Sequence, residues 1–425
     1  MSAAASLSLA QWLALLERRH ADRPIVLGLD RVQAVRARLG LNPACPVITV
    51  GGTNGKGSTC AFLEAMLQAA GHRVGCYTSP HLIDYRERVR IDGGLLSPER
   101  HAQAFAAVEA ARGDTPLTYF EHGTLAAMWL FAQERLDALV LEVGMGGRLD
   151  AVNAFDPDCA VVTSVDLDHQ QYLGPTREAI GREKAGIFRP SRPAVVTDPD
   201  PPASLVAHAH DLGARLLRLG REIRIEAGDG GWTCRVGDQV YVDLPQPSLA
   251  GVFQLHNAAA AIAALTALRP RLTVSIDAVR TGLAQATLPG RFQVVTRRPL
   301  IVLDVAHNPQ AARALADNLA HLPAARRIAV LGVLADKDAA GIAQALAGRI
   351  DAWHLAGLAG PRGLAGTELA ARLQPLGLPI AAVHADVAHA LAAARDSAGP
   401  ADIIVVFGSF HTVAEANQAL QHGAH

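Results

Sequence analysis

The densest chemistry in this sequence lies in eight residues, Gly51-Gly52-Thr53-Asn54-Gly55-Lys56-Gly57-Ser58. Glycines let successive backbone N–H groups turn toward a phosphate, and Lys56 supplies a cation for β- and γ-phosphates. An apolar segment, Thr59 to Leu67, follows as a helix whose N-terminal dipole faces the same anion. The run departs from G-x-x-x-x-G-K-[ST]: Val50 takes the first glycine position, Gly57 follows the lysine, and the hydroxyl moves on to Ser58. That displacement argues against an ordinary P-loop switch or kinase while leaving a nucleoside triphosphate as the ligand.

Glu142 closes an apolar run, Ala138-Leu139-Val140-Leu141, and so falls at the carboxyl end of a strand, where ligands bind in α/β sheets. An acidic residue in such a run is paired or bound to metal, and for Mg²⁺ one carboxylate plus phosphate oxygens suffices. Asp150 lies in the polar, tightly turned Gly146-Gly147-Arg148-Leu149-Asp150, and Asp304 ends the strand Ile301-Val302-Leu303 just before Val305-Ala306-His307-Asn308-Pro309 and a helix. On residue type alone, His169 in Asp166-Leu167-Asp168-His169 is a polar loop residue, Lys184 in Arg182-Glu183-Lys184 a solvated helix face, Phe120 a core aromatic, and Ser409 in Gly408-Ser409-Phe410 a strand-end turn. There is no G-x-S-x-G nucleophile, no catalytic cysteine signature and no zinc spacing, so the substrate itself can be the nucleophile.

Apolar runs bounded by glycine and followed by helical patterns must position these groups. They are Val47–Val50, Ala138–Val143, Ala160–Val165, Pro193–Val196, Leu300–Val305, Ile328–Val333 and Ile403–Phe407. This alternation predicts an α/β protein with parallel sheets: a P-loop NTPase-like N-terminal domain over 1–290, a linker or hinge at 291–299 and a smaller Rossmann-like domain over 300–425. Alternation at Trp232–Val236 and Gln239–Asp243 predicts an antiparallel hairpin around Gly237-Asp238. Helices are expected over 257–267 and 274–284.

The 425 residues exceed what one core usually accommodates, and 39 basic against 40 acidic side chains give a net charge of -1, so no global field invites nucleic acid or an anionic membrane. No uncharged apolar run reaches the roughly 18 residues of a membrane span. The N-terminus lacks the pattern of a secretory signal, which makes cytoplasm the expectation. Five widely spaced cysteines without a C-x-x-C pair read as reduced, mostly buried thiols.

Taken in order, Gly52–Ser58, Thr78-Ser79-Pro80-His81-Leu82, Glu87-Arg88-Val89-Arg90-Ile91, Glu142–Asn153, Asp166–His169, Arg182–Ile187, Gly290-Arg291-Phe292 and Asp304–Pro309 resemble the folylpolyglutamate synthase and dihydrofolate synthase family, from about Leu27 to Ala414. Its wider relatives are the Mur ligases; the 50 residues ahead of Gly51 leave no room for their nucleotide-sugar domain. The resemblance implies an ADP-forming ligase that activates a pteroate or folate carboxylate as an acyl phosphate and joins it to L-glutamate.

It further implies ATP held by Gly52, Thr53, Asn54, Gly55, Lys56, Gly57 and Ser58 with Asn257, Arg291, Asp304 and His307. Two Mg²⁺ sites follow, one with Ser79 and Glu142 and a second with Glu142 and His169, together with a carbamylated Lys184. The resemblance gives catalytic roles to Lys56, Glu142, His169 and Lys184, pterin contacts to Phe120 and Asp150, and a place near the incoming glutamate to Ser409. Partners would be dihydropteroate, folates and L-glutamate, with no nucleic acid and no membrane, acting on a monomer. The alternatives are a Mur-type or cyanophycin-type amino-acid ligase and a regulatory P-loop NTPase.

Overall fold

The computed structural model describes residues 7–20, 26–228, 230–251 and 253–422. The chain divides into two compact units, Met1–Ser248 with Leu255–Ala286, and Leu249–Gln254 with Thr287–His425.

The first unit is built on strands β1 (Val47–Gly51), β2 (Val74–Tyr77), β3 (Val89–Ile91), β4 (Gly94–Leu95), β5 (Ala138–Glu142), β6 (Cys159–Val162), β7 (Pro193–Val196) and β8 (Arg215–Arg218). Their order is β4-β3-β2-β5-β1-β6-β7-β8, with β3 and β4 antiparallel at one edge and the remainder parallel. Strand β1 lies between β5 and β6, and every residue of β1, β5 and β6 is buried. Both faces of the sheet carry helices, which is why these strands read as unbroken apolar runs rather than as alternation. On one face Trp12, Phe105, Leu125 and Tyr77 belong to one core cluster, and Val143, Val162, Ile180 and Ile187 to a second beside it.

The expected hairpin forms as β10 (Gly231–Val236) and β11 (Gln239–Leu244), joined by a third strand, β9 (Ile223–Gly228), in a separate antiparallel sheet. The expected helices run over Gln254–Ala267 and Ile276–Gln285. The latter lies so close to the phosphate-loop helix Lys56–Ala69 that a Cβ on Gly282 would come within 2.6 Å of Met66.

In the second unit six strands take the order β12-β13-β17-β14-β15-β16: β12 (Gln293–Arg297), β13 (Leu300–Leu303), β14 (Arg327–Leu331), β15 (Ala352–Ala356), β16 (Ile380–His384) and β17 (Ile403–Phe407). The stretch 291–299, expected as a linker, is corrected here: β12 pairs antiparallel with β13 and forms the edge of the sheet. None of its five residues is fully buried, so it lacked the apolar run that revealed the central strands. All five cysteines are free, with Cys60, Cys76, Cys159 and Cys234 buried.

Candidate active site

The phosphate loop leaves β1 at the centre of the sheet and enters the helix Lys56–Ala69. Gly55 caps that helix in the left-handed region (φ 87), and a side chain there would place its Cβ 2.4 Å from Asn257 Oδ1. Gly52 (φ 146) is equally constrained, since a Cβ would fall 1.9 Å from Thr163 Oγ1. The loop is pinned from the segment after β6: Thr53 N donates to Ser164 O at 2.7 Å, Asn54 N to Ser164 Oγ at 3.1 Å, and Thr163 Oγ1 to Asn54 O at 2.6 Å. Thr53 Oγ1 donates to Asp166 O and accepts from Asp166 N. Lys56 Nζ folds over its own loop, donating to Gly52 O at 3.0 Å and Thr53 O at 3.1 Å. The ammonium is thereby held at the mouth of the cradle.

Glu142 ends β5 in register with Val50 of β1, so its carboxylate emerges beside the phosphate loop. It is 5% exposed, and its Oε2 accepts the backbone N–H of Ser79 at 3.1 Å. Among the described residues no group of three or more His, Cys, Asp and Glu is arranged to hold a metal. What is present is an oxygen-rich pair, Glu142 and Ser79, suited to a hard cation that keeps water and phosphate oxygens in its shell.

The Ser79 loop is anchored by a buried ion pair. Arg90 of β3 meets Glu64 of the phosphate-loop helix at 2.7 Å and donates as well to Thr78 Oγ1 and Glu87 O. Both charges are thus paired, and Arg90 is further hydrogen-bonded, the condition under which burial is tolerable.

Asp150 turns back on its own segment, accepting from Met145 N at 2.9 Å and Val152 N at 3.0 Å. Burial pushes its carboxyl up to about 6 against the pull of these amides and of Lys56. The neighbouring Gly147 packs on the backbone of Glu183 and Lys184, which brings the Asp150 segment against the helix Arg177–Ala185. Lys184 is 4% exposed and not a solvated side chain as its charged neighbours suggested. Burial lowers its ammonium to about 7, with Lys56 pushing the same way and Asp168 and Asp150 opposing.

His169 adopts a left-handed conformation (φ 50) at the start of a short helix, its amide bonded to Asp168 Oδ1 and its Nε2 3.9 Å from Asp168 Oδ2. Phe120 is half-buried and packs at the edge of the first core cluster; its ring lies over the Gly144 backbone and 6.1 Å from the Tyr77 ring.

In the second unit Asp304 accepts from Phe292 N at 2.9 Å and Ala306 N at 2.8 Å, locking the 290–292 turn to the end of β13. Burial raises this carboxyl, with Arg291 opposing. Arg291 lies over the Phe410 ring at 5.7 Å, and His307, its Nδ1 bonded to Val305 O, lies 6.0 Å from the same ring. Ser409 is different. It is 2% exposed, and its hydroxyl accepts from Thr412 N at 3.0 Å and pairs with Thr412 Oγ1 at 2.7 Å, capping the helix Phe410–His422.

Sequence reasoning did not single out Thr163, Ser164, Glu64 or Arg88. The first two were signalled by hydroxyls directly after an apolar strand, and Glu64 by its place as the lone charge in an apolar helix; Arg88 sat in a charged segment with no local mark of burial.

Residues 50–265 match the family model of the Mur ligase middle domain, and residues 290–410 that of the Mur ligase glutamate ligase domain. The chain is 49% identical over 414 residues to the dihydrofolate synthase/folylpolyglutamate synthase of Escherichia coli K12, covering 97% of this chain and 95% of that one. It is similar to the solved structure of E. coli FolC in complex with DHPP and ADP at a TM-score of 0.94, with 47% identity and 99% of each chain covered. A bifunctional folylpolyglutamate synthase/dihydrofolate synthase with Mn, AMPPNP and L-glutamate bound superposes at a TM-score of 0.90, with 47% identity, 98% of this chain and 99% of that one.

Proposed function

The chain belongs to the dihydrofolate synthase/folylpolyglutamate synthase family of Mur-type ligases, and from that premise we propose that it uses ATP to join L-glutamate to dihydropteroate and to folates. The observation that carries this reading is the pairing of Val50 with Glu142, which sets a buried carboxylate beside the phosphate loop.

A carboxylate oxygen of the pteroyl substrate attacks the γ-phosphorus of ATP; the bond from that phosphorus to the β–γ bridging oxygen breaks, and ADP leaves with the electron pair. The α-amine of glutamate then adds to the acyl carbon, phosphate departs, the nitrogen loses a proton, and the amide remains. Loop amides from Gly55 to Ser58 hold phosphate oxygens, on a loop that Thr53 N and Asn54 N tie to Ser164, and Lys56 balances the charge that passes to the leaving group. Mg²⁺, when bound, lessens the repulsion between phosphate oxygens and the incoming carboxylate; Ser79, Glu142 and His169 are the residues that would hold it at two sites.

Each unit carries groups that this reading assigns to the nucleotide: Asn257 in the first, and Arg291, Asp304 and His307 in the second. Phe120 offers an aromatic face and Asp150 an acceptor to the pterin. Lys184, near its neutral form at physiological pH, would add CO₂ through its amine nitrogen with loss of one proton, and the resulting carbamate would help to hold the second metal. The protein works as a cytoplasmic monomer on small molecules; no described helix is long and apolar enough to cross a membrane.

Steady-state ADP release tests the proposal. Release should require a pteroyl substrate and L-glutamate together. Turnover that proceeds without glutamate would replace the ligase reading with that of a nucleotide hydrolase.

A further inference from the structure

Arg88 and Arg90 stand two residues apart, at the end of the turn Tyr85–Arg88 and within β3, yet their charges are treated in opposite ways. Arg90 is neutralised by Glu64. Arg88 is 9% exposed and, among the described residues, has no carboxylate partner; its one side-chain hydrogen bond runs from Nε to His81 Nδ1 at 2.8 Å. Because that ring nitrogen accepts, the His81 proton sits on Nε2, and the imidazole brings no counter-charge. The guanidinium carbon lies 5.3 Å from the Tyr85 ring centroid and 5.8 Å from that of Tyr119, and these faces return only part of the lost hydration.

A buried cation without an anion is a costly arrangement in any fold. The two terminal nitrogens of Arg88, unused by the protein, form a planar fork matched to a carboxylate. Its neighbours connect it to both halves of the proposed substrate site. Tyr119 immediately precedes Phe120, whose ring lies 6.1 Å from that of Tyr77. His81 lies two residues beyond Ser79, whose amide holds Glu142, and the Arg88 carbonyl accepts Thr78 N at 2.9 Å.

We propose that Arg88 binds the carboxylate of the pteroyl substrate, supplying the counter-charge that the protein withholds and presenting that group toward the phosphate loop. The inference rests on the ligase reading above. It adds a specificity element: an uncharged pteroyl derivative lacks the group that Arg88 requires.

The test begins with the wild-type protein, whose ADP release must depend on both dihydropteroate and glutamate; failure there removes the ligase reading before Arg88 is in question. Calorimetry then compares dihydropteroate with its methyl ester, which keeps the ring and benzoyl group but loses the charge. In Arg88→Ala, affinity for dihydropteroate should fall about 10- to 100-fold, the scale of a lost hydrogen-bonded charge contact. Binding of the ester and KM for ATP should be unchanged. Arg88→Lys, or added guanidinium ion with R88A, should restore part of the loss.

If R88A does not fold, Arg88→Gln, which keeps a planar amide without the charge, carries the same comparison. Equal losses for acid and ester, or no loss for either, would overturn the proposal.

Discussion

The backbone N–H of Ser79 donates to Glu142 Oε2 at 3.1 Å, joining the loop after β2 to the end of β5. That bond needs an acceptor but no charge, so structure and chemistry separate in one substitution. Glu142→Gln should fold normally, since the amide oxygen still accepts from Ser79, while kcat falls about 100- to 1000-fold, the scale for losing one group that stabilises developing charge. A Mg²⁺ titration of activity checks the cause: its midpoint should move to higher concentration. An unchanged midpoint would separate Glu142 from the metal.

Lys184 titrates at about 7 in the folded protein and near its ordinary 10.5 when unfolded. The unfolded chain therefore binds more protons between these values, and stability should rise with pH across that window. Below pH 7 the folded state bears the whole penalty of a buried ammonium. Lys184→Met should raise Tm most below pH 7, with the gain shrinking toward pH 10, and should abolish turnover. Intact mass with and without bicarbonate tests the carbamate; an unmodified lysine under turnover conditions would eliminate it.

Asp150 behaves with the opposite sign. Its carboxyl is raised to about 6 from 3.8, so the folded protein binds more protons between these values and loses stability as pH rises through them. Asp150→Asn should abolish this pH dependence between about 4 and 6, while its NH2 group gives up one of the two backbone amides that Asp150 accepts. In the wild type, KM for dihydropteroate should climb as pH falls below 6, because the neutral acid is a poorer acceptor for ring N–H groups. A flat KM across that range would detach Asp150 from the pterin.

Ser409 offers a sharp contrast between ligand contact and architecture. Its hydroxyl is committed to Thr412, and Thr412 Oγ1 donates on to Gly332 O at 2.7 Å. Ser409→Ala should cost about 1 kcal/mol, as the loss of a helix cap does, readable as a lower denaturant midpoint. KM for glutamate should stay within about twofold, well inside 1.4 kcal/mol per decade. A rise of tenfold or more would return Ser409 to the substrate.

Groups carried by contiguous elements were legible in the sequence. The strand, loop and helix around Lys56 follow one another without interruption, and Glu142 was marked by the apolar run before it. Residues that hold the loop from a distance were not: Thr163 and Ser164 lie 109 and 110 positions from Asn54. Strands at sheet edges escaped for a different reason. β8, β12 and β16 are only partly buried, so their apolar content is diluted and the pattern that reveals a central strand is absent. Lys184 was misjudged from its charged neighbours because burial there is imposed by the Gly147 segment, 37 positions away by number.

The Glu64–Arg90 pair carries a consequence for how this chain can diverge. Removing either partner leaves a lone buried charge, at about 3–5 kcal/mol, whereas exchanging both for well-packed apolar residues is often neutral. A lineage passing from one solution to the other must cross that intermediate. Positions 64 and 90 are therefore locked in covariation: across descendants they should change together or not at all, and the helix behind the phosphate loop and the strand behind Ser79 are inherited as a single unit.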